Sequence, residues 1–115
     1  MDTPLETLVT SEFEMHAAEA AQLLKLLANE HRLLVVCHLL AAGEASVTAL
    51  VEAVGLSQSA LSQHLAKLRE DGLVTFRRES QTLFYRVSDA RAVRVLGVLK
   101  DIFCPTLGQP KKAHK

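Results

Sequence analysis

From Leu56 to Val87 the spacing of apolar residues changes from a helical to a strand period. Leu61, Leu65 and Leu68 recur three and four residues apart and form one apolar stripe. Ser59, Ser62, Gln63, Ala66 and Lys67 fall on the other side of the same helix. Ser57 is a good N-cap, because its hydroxyl can accept from an otherwise unpaired amide, and Gly72 stands where a left-handed stop belongs. Beyond it, Leu73–Arg78 and Thr82–Val87 are rich in strand formers around the polar turn Glu79-Ser80-Gln81, which predicts a hairpin. Upstream, Ser46 can cap a short helix reaching Val54 and closed by Gly55, with Leu56 alone between that glycine and Ser57. Helices are also expected from Ser11 to Ala28, from Glu30 to Ala42 behind an Asn29 cap and ahead of Gly43, and from Asp89 to Cys104 behind a Ser88 cap. The first presents Phe13, Ala17, Ala20, Ala21, Leu24 and Leu27 on one face. The last presents Val93, Leu96, Leu99 and Phe103.

Two short helices joined at a glycine, followed by a hairpin, make a winged helix-turn-helix. The expected fold is mainly α with a β-hairpin wing: four helices, two strands and a fifth helix. Taken alone, the Ser57–Asp71 helix reads equally well as an amphipathic helix with a solvated polar face. The neighbouring helix and the arginines of the hairpin favour DNA. Small hydroxyl and amide side chains suit the floor of the major groove, where they can read base edges. Arg77 and Arg78 place fixed positive charge where phosphate would run; Arg86 reads equally as part of a solvated strand face. The candidate DNA-binding residues are Ser57, Gln58, Ser59, Ser62, Gln63, His64, Lys67, Arg77 and Arg78.

The chain has 115 residues and no net formal charge, a balance that at first argues against a polyanionic partner. Its distribution argues otherwise: residues 1–56 carry −6 and residues 57–115 carry +6. A chain polarised in this way can turn a basic face to phosphate, with modest and salt-sensitive non-specific affinity. The length suits one domain whose core dimerisation would enlarge. No stretch approaches the roughly 18 uninterrupted apolar residues of a membrane span, and the acidic start lacks the basic opening of a signal peptide, so a cytoplasmic protein is expected. Residues 1–10 and 105–115 are expected to be flexible ends, the second one basic, with the domain at 11–104. No nucleophile–base set, phosphate loop or cofactor fingerprint is present, so neither an enzyme nor a cofactor is expected.

The segments SQSALSQHLAKLREDGLV and RRESQTLFYRV, with LLKLLANEHRLLVVCHLLAAGEASVTAL before them, resemble the ArsR family of small bacterial repressors. The resemblance runs from Ala17 to Cys104. It implies a homodimer formed through the first and last helices, binding to an inverted-repeat operator in double-stranded DNA, and release when an inducer is sensed. Two metal sites found in this family are not intact. Where one uses a Cys-x-Cys pair, this chain has Ser46 and Thr48, whose hydroxyls are poor ligands for soft metals. Where another opens with Asp-x-His in the last helix, this chain has Asp89-Ala90-Arg91, and no His follows before His114.

Cys37 and Cys104 remain as sensor candidates. Taken alone, Cys37, among Val35, Val36, Leu39 and Leu40, reads as a small buried hydrophobe. As a pair, VVCHLL and DIFC resemble the dithiol branch of the family, in which two thiols of one protomer answer sulfane sulfur (persulfides) by joining through a sulfur bridge. One thiolate would attack a persulfide, become persulfidated and be captured by the second thiol. Because Cys104 stands at a helix C-terminus, where the dipole opposes a thiolate, Cys37 is expected to attack first. A metal site built from these cysteines and a histidine, a general redox response, counter-silencing activation on the same fold and a protein-binding use of the wing stand as alternatives.

Overall fold

In the computed structural model, residues 12–104 are described; the expected flexible ends, 1–10 and 105–115, lie outside them. In order, the elements are α1 (Glu14–Leu27), α2 (Glu30–Ala42), β1 (Ala45–Ser46), α3 (Val47–Val54), α4 (Gln58–Glu70), β2 (Val74–Glu79), β3 (Thr82–Val87) and α5 (Ala90–Phe103). By internal contact the chain divides into two compact units, one ending at Leu34 and one beginning at Val35.

In the first unit, α1 buries Leu23, Leu26 and Leu27 and leaves Phe13, Met15 and Leu24 exposed. The buried face is therefore rotated from the alanine-rich one that the sequence suggested. Leucine removes more apolar area from water than alanine, and the cluster at 23, 26 and 27 takes the inside. Asn29 caps α2 as expected, its Oδ1 accepting from the Arg32 amide at 3.1 Å.

The second unit holds the helix-turn-helix and wing. Val35, Val36 and Leu39 of α2, Leu50 of α3, Leu61, Leu65 and Leu68 of α4, and Leu73, Val74, Tyr85, Ala92 and Leu96 make its core. Local signals place α4 tightly. Ser46 and Ser57 accept from the amides of Ala49 and Ala60 at 3.2 and 3.1 Å. Gly55, at φ 74°, turns the chain between the two helices through a conformation that a side chain would strain. At the far end of α4, the Leu73 amide donates to the Leu68 carbonyl at 2.8 Å and that of Gly72 to Arg69 at 3.0 Å. This Schellman closure releases the chain into β2.

β2 and β3 pair antiparallel from Val74–Val87 to Glu79–Thr82, closed by Ser80 and Gln81. A third strand, β1, which the sequence reading did not anticipate, pairs Ala45 with Tyr85 and Ser46 with Phe84, giving the order β1-β3-β2. Two residues carry too little pattern to be recognised as a strand.

The start of α5 differs from expectation. Asp89, not Ser88, is its N-cap and accepts from the Arg91 amide at 2.8 Å, while the Ser88 hydroxyl donates to the Gly72 carbonyl at 3.1 Å. The Asp89 carboxyl is held below the usual carboxylate range, chiefly by the Arg91 side chain. Of the expected apolar stripe on α5 only Leu96 is buried, joined by Ala92; Leu99 is half-buried and Val93 and Phe103 are exposed. No helix among the described residues is long and apolar enough to cross a membrane.

Candidate nucleic-acid interface and dithiol

The stripe Leu61, Leu65 and Leu68 locks one side of α4 into the core, which forces Ser59, Ser62, Gln63, Ala66 and Lys67 outward. Gln58 and Ser57 are exposed at the N-terminal end of the same helix. Not every expected residue stands alike. Ser57 holds the Ala60 amide and lies 3.4 Å from the Ser59 hydroxyl, so part of its capacity belongs to the helix end. His64 is half-buried on the shoulder of the helix. Lys67 Nζ stands 3.8 Å from an Asp71 carboxylate oxygen, a loose pair that solvent screens. The face offers hydroxyls, two amides and one cation, a mixture able to meet base edges and phosphate.

In the wing, Arg78 and Arg86 are exposed. Arg77 is exposed too, but it is paired with two carboxylates. Its guanidinium donates to Glu44 through Nε at 3.0 Å and Nη2 at 2.7 Å, and to Glu79 through Nη1 at 2.9 Å. The hydrogen bond from Arg77 holds the Glu44 carboxyl below the usual carboxylate range, and the nearby charge of Arg86 adds to the effect. Arg69, at the end of α4, lies with Cζ 4.6 Å from the Phe76 ring centre, and Phe76 tilts against Tyr85 at 5.3 Å. The sequence reading counted Glu44 only as a charge and did not single out Arg69. Glu44 meets Arg77 across the sheet, where only strand order brings them near, whereas Arg69 meets Phe76 where the chain turns from α4 into β2.

Both cysteines carry free thiols and both are exposed. The reading of Cys37 as a buried core residue is thereby overturned. On α2 the core takes Val35, Val36 and Leu39, and position 37 lies on a different side of the turn. Cys104 ends α5, its amide donating to the Lys100 carbonyl at 2.7 Å. Partial desolvation, and then the charge a Cys104 thiolate would carry, push the Cys37 thiol up. Cys37 therefore gives up its proton less readily than an ordinary thiol, and acidity does not favour it as first attacker. Among the described residues no group of three His, Cys, Asp or Glu is arranged to hold a metal ion.

Residues 29–75 match the family described as bacterial regulatory protein, arsR family. The chain is 48% identical over 93 residues to the transcriptional activator HlyU of Vibrio cholerae, covering 81% of this chain and 85% of that protein. It is 40% identical over 103 residues to the biofilm growth-associated repressor of Xylella fastidiosa, covering 90% of each. The crystal structure of the transcriptional repressor BigR from Xylella fastidiosa superposes with a TM-score of 0.78 at 42% identity, covering 83% of this chain and 96% of that one. Its relatives are regulators of transcription, not enzymes. The chain therefore belongs to the bacterial ArsR family and is a transcriptional regulator built on a winged helix-turn-helix.

Proposed function

We propose that this regulator is a cytoplasmic homodimer that binds an inverted repeat in double-stranded DNA, senses sulfane sulfur through Cys37 and Cys104, and leaves its operator when the two are bridged. One observation carries the sensing half. Two exposed free thiols, from α2 and from the end of α5, lie within electrostatic reach of each other in one chain. A thiolate attacking the outer sulfur of a persulfide expels the thiolate of the donor and becomes a cysteine persulfide. The second thiolate then attacks the inner sulfur, expels hydrosulfide and leaves a disulfide. If both cysteines are persulfidated first, attack of one on the other with loss of hydrosulfide leaves a trisulfide. Neither route needs a metal or a further oxidant.

The exposed Val98, Ile102 and Phe103 of α5 suit contact with a second copy. A bridge from Cys104 to α2 bears on that helix, and through the dimer on the spacing of the two α4 helices. Operator binding requires that spacing to match a groove repeat of about 34–36 Å. Mass spectrometry of the reduced protein, after exposure to a persulfide donor, a disulfide oxidant and zinc, cadmium or arsenite, tests the sensing reading. The expected product of the donor has lost both free thiols and either two hydrogens or two hydrogens with a sulfur gained. Tight retention of a metal by the unmodified thiols, with no reaction toward the donor, would replace this reading with metal sensing.

In the DNA half, Ser59, Ser62, Gln63 and His64 read bases, while Ser57, Gln58, Lys67 and Arg78 hold the backbone. Gln63→Ala is expected to cost on the order of 1–3 kcal/mol of specific binding and to relax sequence preference. Arg78→Gln, which removes one contact from each protomer of the dimer, should weaken all duplexes alike and reduce the slope of log K against log salt by about 1.8. Binding to selected and scrambled duplexes over a salt series measures both, and an unchanged preference in Gln63→Ala would move the reading face elsewhere. The names of the relatives divide between activator and repressor, so the proposed bridge is also compatible with activation by displacing another silencer.

A further inference from the structure

One arginine of the wing, Arg77, faces carboxylates. Glu44 stands immediately before β1, whose Ser46 pairs with Phe84 of β3, and Phe84 in turn pairs with Arg77 of β2. Arg77 therefore lies two strands away from the β1 segment. Its guanidinium bridges that distance by lying with Cζ 4.7 Å from the centre of the Phe84 ring, with Nε and Nη2 on Glu44 and Nη1 on Glu79. Every nitrogen of the group thus donates to a carboxylate, in a fork geometry that an ammonium could not reproduce. Two of its five N–H groups are left over, but a phosphate reaching them would stand beside both carboxylates, whose charge repels it. Ser46, two residues beyond Glu44, is the N-cap of α3, so the ion pair ties the wing to the segment that starts the helix-turn-helix. On the other edge of the wing, Arg69 against Phe76 ties β2 to the end of α4.

We propose that Glu44 and Arg77 form a positioning pair that fixes the wing relative to α3 and α4, and that Arg77 is not a phosphate ligand. The inference rests on the DNA-binding reading above and assigns the pair a part in specificity. A correctly angled wing adds its contacts only when α4 is seated in register, so losing the angle lowers binding to the selected site more than binding to any duplex.

The sign of two substitutions separates this role from a phosphate contact. As a positioning pair, Glu44→Gln and Arg77→Gln disrupt the same link and act in the same direction. Each is expected to lower the ratio of affinities for a duplex selected by the protein and a scrambled duplex on the order of tenfold, the scale of one mismatched base pair. Arg77→Gln should leave the salt slope unchanged, whereas Arg78→Gln, lost from both protomers, lowers it by about 1.8. If Arg77 instead held phosphate, Glu44→Gln would free it and tighten binding while Arg77→Gln weakened it. Arg77→Lys, which keeps the charge and loses the fork, should behave as Arg77→Gln; retention of full specificity by this variant overturns the inference. So do opposite signs for Glu44→Gln and Arg77→Gln, a fall in slope for Arg77→Gln, or no change in either. Failure of the unsubstituted protein to select any duplex would instead remove the DNA-binding reading, and the inference with it.

Discussion

Exposure of the reduced protein to a persulfide donor is expected to lower its operator affinity by about 5- to 150-fold, the usual range for coupling between two sites. The size follows from what the bridge must do. A ligand or a bond shifts an equilibrium only by as much as it favours one state over the other, and a link between α2 and the end of α5 supplies such a bias through a short covalent tether. Cys37→Ser and Cys104→Ser should each bind DNA as the unsubstituted protein does and ignore the donor, since a single thiol can be persulfidated but cannot be captured within the chain. The rate should climb with pH. Burial and the neighbouring Cys104 charge keep the Cys37 thiol protonated to higher pH than usual, so its reactive thiolate fraction grows as the solution becomes alkaline. Operator titrations with and without donor, for the three proteins, measure the effect. A response retained by either serine variant would eliminate the bridge as the switch.

Leu65→Ala is expected to destabilise the fold by about 2–5 kcal/mol, the cost of emptying a leucine-sized space that its neighbours only partly refill. Leu65 is 1% exposed and lies between Leu61 and Leu68 on the inner stripe of α4. Ser62→Ala, on the outer side of the same helix, should change stability by no more than about 0.5 kcal/mol, because it removes no buried atom. Denaturant unfolding at one fixed protein concentration compares the two, since the midpoint of an associating protein depends on concentration. Equal losses for the two substitutions would mean that α4 is not oriented by its leucine stripe. If the outer face of α4 reads DNA as proposed, damage at Leu65 acts on binding through folding, and damage at Ser62 acts on binding alone.

The local grammar of this chain was legible without coordinates. Ser46, Ser57 and Asn29 cap their helices, Gly43, Gly55 and Gly72 take left-handed positions, and Leu61, Leu65 and Leu68 face inward. Each of these signals acts within one helical turn or one chain reversal, so nearest-neighbour sterics, orphan amides and apolar spacing suffice to set it. The family could be read as well, because its pattern lies in a continuous run of residues. Other outcomes depended on partners distant in sequence. Position 37 looks apolar on every side in a run of valines and leucines, and only the packed helix decides which side is covered. Asp89 displaced Ser88 as the cap of α5 once the Ser88 hydroxyl found the carbonyl of Gly72, sixteen residues earlier. The pairing of Arg77 with Glu44 could not be read either, since the strand order β1-β3-β2 brings them together across thirty-three residues. By itself the sequence determined the five helices and the hairpin, the caps of α2, α3 and α4, and the outward face of α4. The tertiary structure decided which charges neutralise one another and which thiols stay open, because Coulomb and burial energies depend on distance in space and not on separation along the chain.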